Sequence, residues 1–253
     1  MKMHILTGGR LKMKKSVYVP EADRQELFEI PVSCYLLKHP QGNVLFDTGC
    51  HPSTAMHAEE RWGGMVKFMT PISNPQDNVI DQLKLLNMKP DDIDVVVNSH
   101  LHSDHCGCNA FFKKASFICH ANELAAAQQD DAEKMGFLAV DWQHPMPTET
   151  IKAQKDLFND GRIVLVPVPG HTPGMTGALV SLDRSGAFFL ASDSVALESN
   201  LLKDQIPRNM WSAELASQSM AEIRKVQASG AKVLFGHDDA QYQTLRKGQE
   251  YYD

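Results

Sequence analysis

The chain has 253 residues, 43% hydrophobic and 22% charged, which is ordinary for a globular protein able to bury a substantial core. Its 25 Lys and Arg against 31 Asp and Glu give a formal charge of -6, and phosphate binding calls for basic surface, so nucleic acid is disfavoured as a partner. No apolar run approaches the roughly 18 residues of a membrane helix and the first residues lack a long apolar leader, so a cytoplasmic protein without a membrane partner is expected.

Residues 3–13, 30–37 and 44–47 read as early strands, the last two joined by the turn-forming His39-Pro40-Gln41-Gly42-Asn43. The short basic cluster Lys12-Met13-Lys14-Lys15 reads as a solvated loop or strand edge. Asp47, in Phe46-Asp47-Thr48-Gly49, is either a turn residue or a group that orients a ligand loop from behind. Residues 54–73 carry Met56, Trp62, Met65, Phe68 and Met69 around Gly63-Gly64. Two readings stand for them: an adaptable apolar wall facing a substrate, or a helix packed into the core. From 77 to 88, Val79, Ile80, Leu83 and Leu86 recur at helical spacing.

The densest chemistry follows. The β-branched run Asp94-Val95-Val96-Val97-Asn98-Ser99 reads as a buried strand, and His100-Leu101-His102-Ser103-Asp104-His105 comes directly after it. Extended backbone alternates faces, so His100 and His102 point the same way, while Asp104 and His105 lie where the chain turns and can aim at a second point. Such a set can hold two cations side by side. Three further residues share the context of a polar group just past an apolar run. His171 follows Ile163-Val164-Leu165-Val166, Asp193 follows Ala187-Phe188-Phe189-Leu190, and His237 follows Lys232-Val233-Leu234-Phe235. Loops at one end of a rigid sheet are where sites are usually built.

The other histidines, His4, His39, His51, His57, His120 and His144, share no context and read as structural, with His120 the first candidate for an exception. The five cysteines, Cys34, Cys50, Cys106, Cys108 and Cys119, are odd in number and lack framework spacing, so small buried packing groups are expected rather than disulfides or metal ligands. Residues 121–135 and 212–229 read as helices, the second stopped by Gly230. Residues 137–150, with Trp142, Pro145, Met146 and Pro147, are a second candidate wall for a pocket. Strands and helices in this alternation indicate an α/β fold without a dividing linker, hence one domain over 1–253.

His100, His102, Asp104, His105, His171, Asp193 and His237, in this order, resemble the ligand signature of the metallo-β-lactamase superfamily. Within it the chain resembles the N-acyl-homoserine lactonases, with Ile30-Pro31-Val32-Ser33-Cys34-Tyr35-Leu36-Leu37 and Phe46-Asp47-Thr48-Gly49 as further matches. Residues 94–107 and 236–252 are also similar to 4-pyridoxolactonase. The resemblance implies a four-layer αββα sandwich and two divalent metal ions, zinc foremost, although such ligands also accept iron, cobalt and manganese. It implies that His100, His102 and His171 hold one ion, that Asp104, His105 and His237 hold the other, and that Asp193 bridges them. It further implies opening of a small-molecule lactone, foremost an N-acyl-homoserine lactone, by a hydroxide shared between the metals, with Asp104 returning a proton to the alkoxide. The alternative is a 4-pyridoxolactonase-like or other ester or thioester hydrolase. Met-rich surface segments would suit a homodimer. The chain departs from the lactonases at Ala196, where they place a Tyr that faces the substrate carbonyl; Tyr35, Tyr251 and Trp211 are the replacements the sequence offers.

Overall fold

A computed structural model describes residues 1–253. Seven strands form the first sheet: β1 Lys2–Lys14, β2 Leu27–His39, β3 Gly42–Phe46, β4 Met69–Pro71, β5 Val95–Val97, β6 Ser116–His120 and β7 Thr148–Ile151. Five form the second: β8 Lys155–Asp156, β9 Ile163–Pro167, β10 Thr176–Leu182, β11 Gly186–Ser192 and β12 Lys232–Phe235. The strand orders are β4-β1-β2-β3-β5-β6-β7 and β12-β11-β10-β9-β8. From β3 to β7 neighbouring strands run parallel, and so do β11 and β12.

Each sheet buries both faces, so its central strands read as near-continuous apolar runs. In β3, Val44 and Phe46 face the second sheet while Leu45 faces outward, as a period of two demands. In β11, Phe188 and Leu190 face inward, and Phe189 and Ala191 face outward. The largest apolar cluster lies between the sheets, joining Met3, Ile5, Leu37 and Val97 to Leu165, Val180 and Leu234.

Helices cover the outer faces. On the first sheet, α2 (Val79–Leu85) buries Val79 and Leu83 against Leu36, Leu45 and Val96. Asn78 caps it by accepting the Asp81 N–H at 3.0 Å. On the second sheet, α7 (Ala213–Ala228) buries Ala216, Ser219, Met220 and Ile223, one stripe at helical spacing. Met220 and Ile223 pack on Phe189, Val233 and Phe235, each stabilising the layer by roughly 1.5–3 kcal/mol. An Asp at 223 would bury an unpaired carboxylate and unseat the helix. Gly230, at φ 103°, ends this element in a conformation other residues avoid. The order of layers is therefore helix, sheet, sheet, helix, as the resemblance implies. No helix is long and apolar enough to cross a membrane.

Residues 54–73 divide between the two readings offered for them. They form α1 (Thr54–Trp62), a short 3-10 turn and β4, with Trp62 in the core, Met65 and Met69 half-buried against it, and Met56 and Phe68 in solvent. The helix expected over 121–135 breaks. Its first half is α4 (Ala121–Ala127), and after Gln128 only a 3-10 turn at Ala132–Met135 follows. Asp130 and Asp131 lie where a continuing helix would gather negative charge near its carboxyl end, which disfavours it. Residues 137–150 contain only one helical turn, α5 (Ala139–Trp142), before β7.

Candidate metal centre

All seven side chains singled out in the sequence converge where strand ends of both sheets meet. After β5, His100 and His102 extend on one face, and His102 (φ −74°, ψ 150°) opens the helical turn α3 (Ser103–Cys106). That turn carries Asp104 and His105 to a neighbouring point. His171 lies on the loop between β9 and β10, Asp193 follows β11, and His237 follows β12. Ser192, at φ 45°, holds left-handed backbone beside Asp193, a conformation that costs of order 1–3 kcal/mol and clusters at functional sites. Gly236 must be glycine, because a Cβ there would meet the Ser192 carbonyl oxygen at 2.6 Å and Asp193 Oδ1 at 3.0 Å.

The donor atoms fall into groups. His100, His102 and His171 form one, Asp104, His105 and His237 another, and His100, His105 and Asp193 link them. His102 Nδ1 and His171 Nε2 are 3.0 Å apart. Asp193 presents Oδ1 to His237 Nε2 at 2.9 Å and to His105 Nε2 at 3.2 Å, and Oδ2 to His171 Nε2 at 3.4 Å. One carboxylate therefore spans both groups. Asp104 Oδ2 lies 3.4 Å from His105 Nε2 and 3.8 Å from His237 Nε2.

Hydrogen bonds behind the cluster orient these atoms. His105 Nδ1–H donates to Asp47 Oδ2 at 2.9 Å, and His237 Nδ1–H donates to the Pro31 carbonyl at 2.8 Å. Each imidazole thus turns its Nε2 lone pair inward. Asp47 accepts the Ser99 N–H on Oδ1 and the Ser99 hydroxyl on Oδ2, both at 2.7 Å. It acts from behind, on the loop that leads to His100. The inward Nε2 atoms of His100, His105 and His237 and Oδ1 of Asp193 are buried without a hydrogen-bond partner. Lone pairs that face lone pairs at this range are the mark of a cation site, since two nitrogen ligands of one tetrahedral ion stand roughly 3.3 Å apart. The donor set, imidazole nitrogen and carboxylate oxygen without thiolate, fits a pair of divalent cations.

Burial, followed by the neighbouring His105 and His102, holds His100 well below the ordinary imidazole value, and burial then His171 takes His102 down to about 3. Burial also lowers His171. For His105 burial works the same way, yet Asp104 and Asp193 more than reverse it and the value rises well above the usual one; His237 rises through Asp193 and then Asp104. Burial would lift Asp193, but His237, His105 and His171 hold it well below the carboxylate range. The field here favours positive charge and keeps neutral imidazoles beside it, as a cation pair requires.

The cluster opens on a cleft of about 280 Å³ through His102 and His171. Met135, Phe137, Asn209, Met210 and Trp211 are among its walls, and Lys134 and Arg208 stand at it too. Of the two expected walls, residues 137–150 supply only Phe137, and residues 54–73 supply none. Of the segment 208–211 the sequence offers only Trp211; Arg208, Asn209 and Met210 lie between helices without periodicity or motif. Among the replacements considered for Ala196, Tyr35 is buried between the sheets against Phe46, and Tyr251 sits beside His4. Trp211 alone of the three reaches the cleft. Tyr18, which no pattern marks, is buried in the apolar cluster that contains Ala196, its ring 5.7 Å from that of His237. The scattered histidines stay outside all three groups, and His120 instead caps α4 by accepting the Asn122 N–H at 3.1 Å. All five cysteines are free and buried, as packing groups should be.

A family profile described as the metallo-beta-lactamase superfamily matches residues 27–237. The N-acyl homoserine lactonase AttM of Azorhizobium caulinodans is 28% identical over 260 residues, a match covering 100% of this chain and 99% of that one. The N-acyl homoserine lactonase AiiB of Rhizobium rhizogenes is 31% identical over 250 residues, covering 88% and 85%. A solved structure of an N-acyl homoserine lactone hydrolase, with the product N-hexanoyl-L-homoserine at its catalytic metal center, is similar with a TM-score of 0.90 at 26% identity, covering 99% and 98%.

Proposed function

The chain belongs to the metallo-β-lactamase superfamily, and from that premise we propose that it is a dinuclear metal-dependent lactonase whose substrates are N-acyl-homoserine lactones. One observation carries the reading: seven ligand-type side chains, brought from both sheets, meet beside a cleft whose mixed lining includes Met135, Phe137, Met210 and Trp211. The likeness over full length to curated lactonases supports the substrate class.

His100, His102 and His171 would hold one ion, Asp104, His105 and His237 the other, and Asp193 both. Zinc suits this imidazole and carboxylate set first. When bound, two such ions supply a water nucleophile at neutral pH and polarise the scissile carbonyl. The protein does the rest. Asp47 and the Pro31 carbonyl fix the tautomers of His105 and His237 through their Nδ1–H bonds. Trp211, Met210 and Phe137 receive the acyl chain and keep water from that side of the ring. Asp104, beside His105 and His237, takes a proton from the water that adds to the lactone carbonyl carbon and, as the ring C–O bond breaks, passes it to the released alkoxide oxygen. The five free thiols support a cytoplasmic setting.

A substrate panel on metal-loaded protein tests this. It contains homoserine lactones of graded acyl length, 4-pyridoxolactone, and a hydroxyacyl thioester of glutathione. Ring opening fastest with the acyl-homoserine lactones is expected. Preference for 4-pyridoxolactone or the thioester would overturn the substrate assignment, and turnover unchanged by exhaustive chelation would overturn the metal chemistry.

A further inference from the structure

One buried carboxyl stands outside the cluster yet touches both loops that build half of it. Glu123 lies in the first turn of α4 and is fully buried. Its Oε1 accepts the Leu101 N–H at 3.0 Å, and its Oε2 accepts the Gly174 N–H at 2.9 Å. Leu101 sits between His100 and His102, and Gly174 lies three residues after His171. All three members of one donor group therefore hang from two loops that a single side chain ties together. The loop that carries His171 presses close to the helix: a Cβ on Gly174 would meet the Glu123 backbone nitrogen at 2.3 Å. Packing alone does not call for a carboxyl here, since an apolar side chain fills such a place without the cost of burying a polar group. What the carboxyl adds is two accepting oxygens at a fixed separation, one for each loop.

We propose that Glu123 is a positioning residue for the ion assigned to His100, His102 and His171, holding their two loops at binding distance before the ion arrives. This rests on the reading of the cluster as a metal centre. Glu123→Gln keeps one accepting oxygen and turns an NH₂ group against the other loop's N–H, so one loop is released. Residues that orient metal ligands typically change affinity by about 10–100-fold when altered. The test is a titration of metal-free, full-length protein with Zn²⁺ against a chromophoric chelator, for the wild type and Glu123→Gln. One of the two dissociation constants should rise about 10–100-fold, with the other within about threefold. If the wild type takes up no zinc, the metal-centre reading fails. If the wild type binds two ions and Glu123→Gln binds both with unchanged affinity, only the positioning role fails, even where the metal-free variant melts earlier. Should Glu123→Gln not fold, Glu123→Asp, which is too short to reach both loops, replaces it in the titration. Equal affinities there overturn the proposal.

Discussion

Replacing Asp47 by Asn changes one oxygen for an NH₂ group at the back of the cluster and leaves the shape intact. The amide oxygen can still take the Ser99 N–H that Oδ1 accepts at 2.7 Å. The NH₂ group then faces His105 Nδ1, 2.9 Å from the present Oδ2. Two donors cannot face each other, so the imidazole must move its proton to Nε2, and the lone pair directed at Asp104 and Asp193 is lost. A hydrogen bond to a charged partner contributes about 1.5–3 kcal/mol. At about 1.4 kcal/mol per factor of ten, that corresponds to roughly 10–100-fold weaker binding of the ion assigned to Asp104, His105 and His237. Ser99→Ala removes a hydroxyl that donates to the same carboxylate at 2.7 Å and meets His100 Nδ1 at 3.0 Å, but it keeps the His105 tautomer, so it should weaken the ion assigned to Asp104, His105 and His237 less than Asp47→Asn does. Chelator competition resolves the two ions in each variant. An Asp47→Asn protein that binds both ions like the wild type would refute the account of how the histidine tautomer is set.

Three other outcomes are expected. Exhaustive chelation should lower the melting temperature, because ions at about a hundredfold their dissociation constants stabilise by about 2.7 kcal/mol each, some 5–10 °C for a chain of this length; coincident melting curves with and without chelator would contradict it. His51, held down to about 4 by burial and then by Arg61, gives stability a pH dependence of definite sign. Its folded value lies below the 6.5 of free imidazole, so the unfolded chain takes the proton first. The contribution is complete above about pH 6.5 and is lost as pH falls toward 4. His51→Gln should flatten that limb of the melting temperature against pH, and an unchanged slope would count against it. Trp211 is 55% exposed at the cleft, so Trp211→Ala should raise KM for long-chain substrates severalfold and leave the melting temperature within about 1 °C, surface changes being close to neutral; calorimetry and steady-state kinetics check both halves.

The site was more legible in the sequence than the scaffold around it, for a physical reason. Each of the seven side chains follows an apolar strand, and a His or Asp stands out sharply against such a run. Strand β10 has no such contrast. Gly177 and Ser181 interrupt Thr176-Gly177-Ala178-Leu179-Val180-Ser181-Leu182, so no periodic pattern marks a strand that is central to the second sheet. The short α6 (Glu198–Leu202) and α8 (Asp239–Thr244) are likewise too brief to show a period. Glu123 reads as an ordinary charge on a helix until the fold places it between two loops. Tyr18 and the stretch from Arg208 to Met210 carry no pattern at all, since their positions depend on where long-range packing delivers them. The broken helix after Ala127 shows local charge overruling an otherwise helix-forming composition.

The distribution of the seven clustered side chains between the sheets has a mechanical consequence. His100, His102, Asp104 and His105 follow strands of the first sheet, whereas His171, Asp193 and His237 follow strands of the second. Neither donor group is complete on one side of the interface, so each ion would act as a staple across the sandwich. A chain severed between β7 and β8 would yield two fragments that each lack part of both ligand sets, and zinc added to the mixture should draw them together.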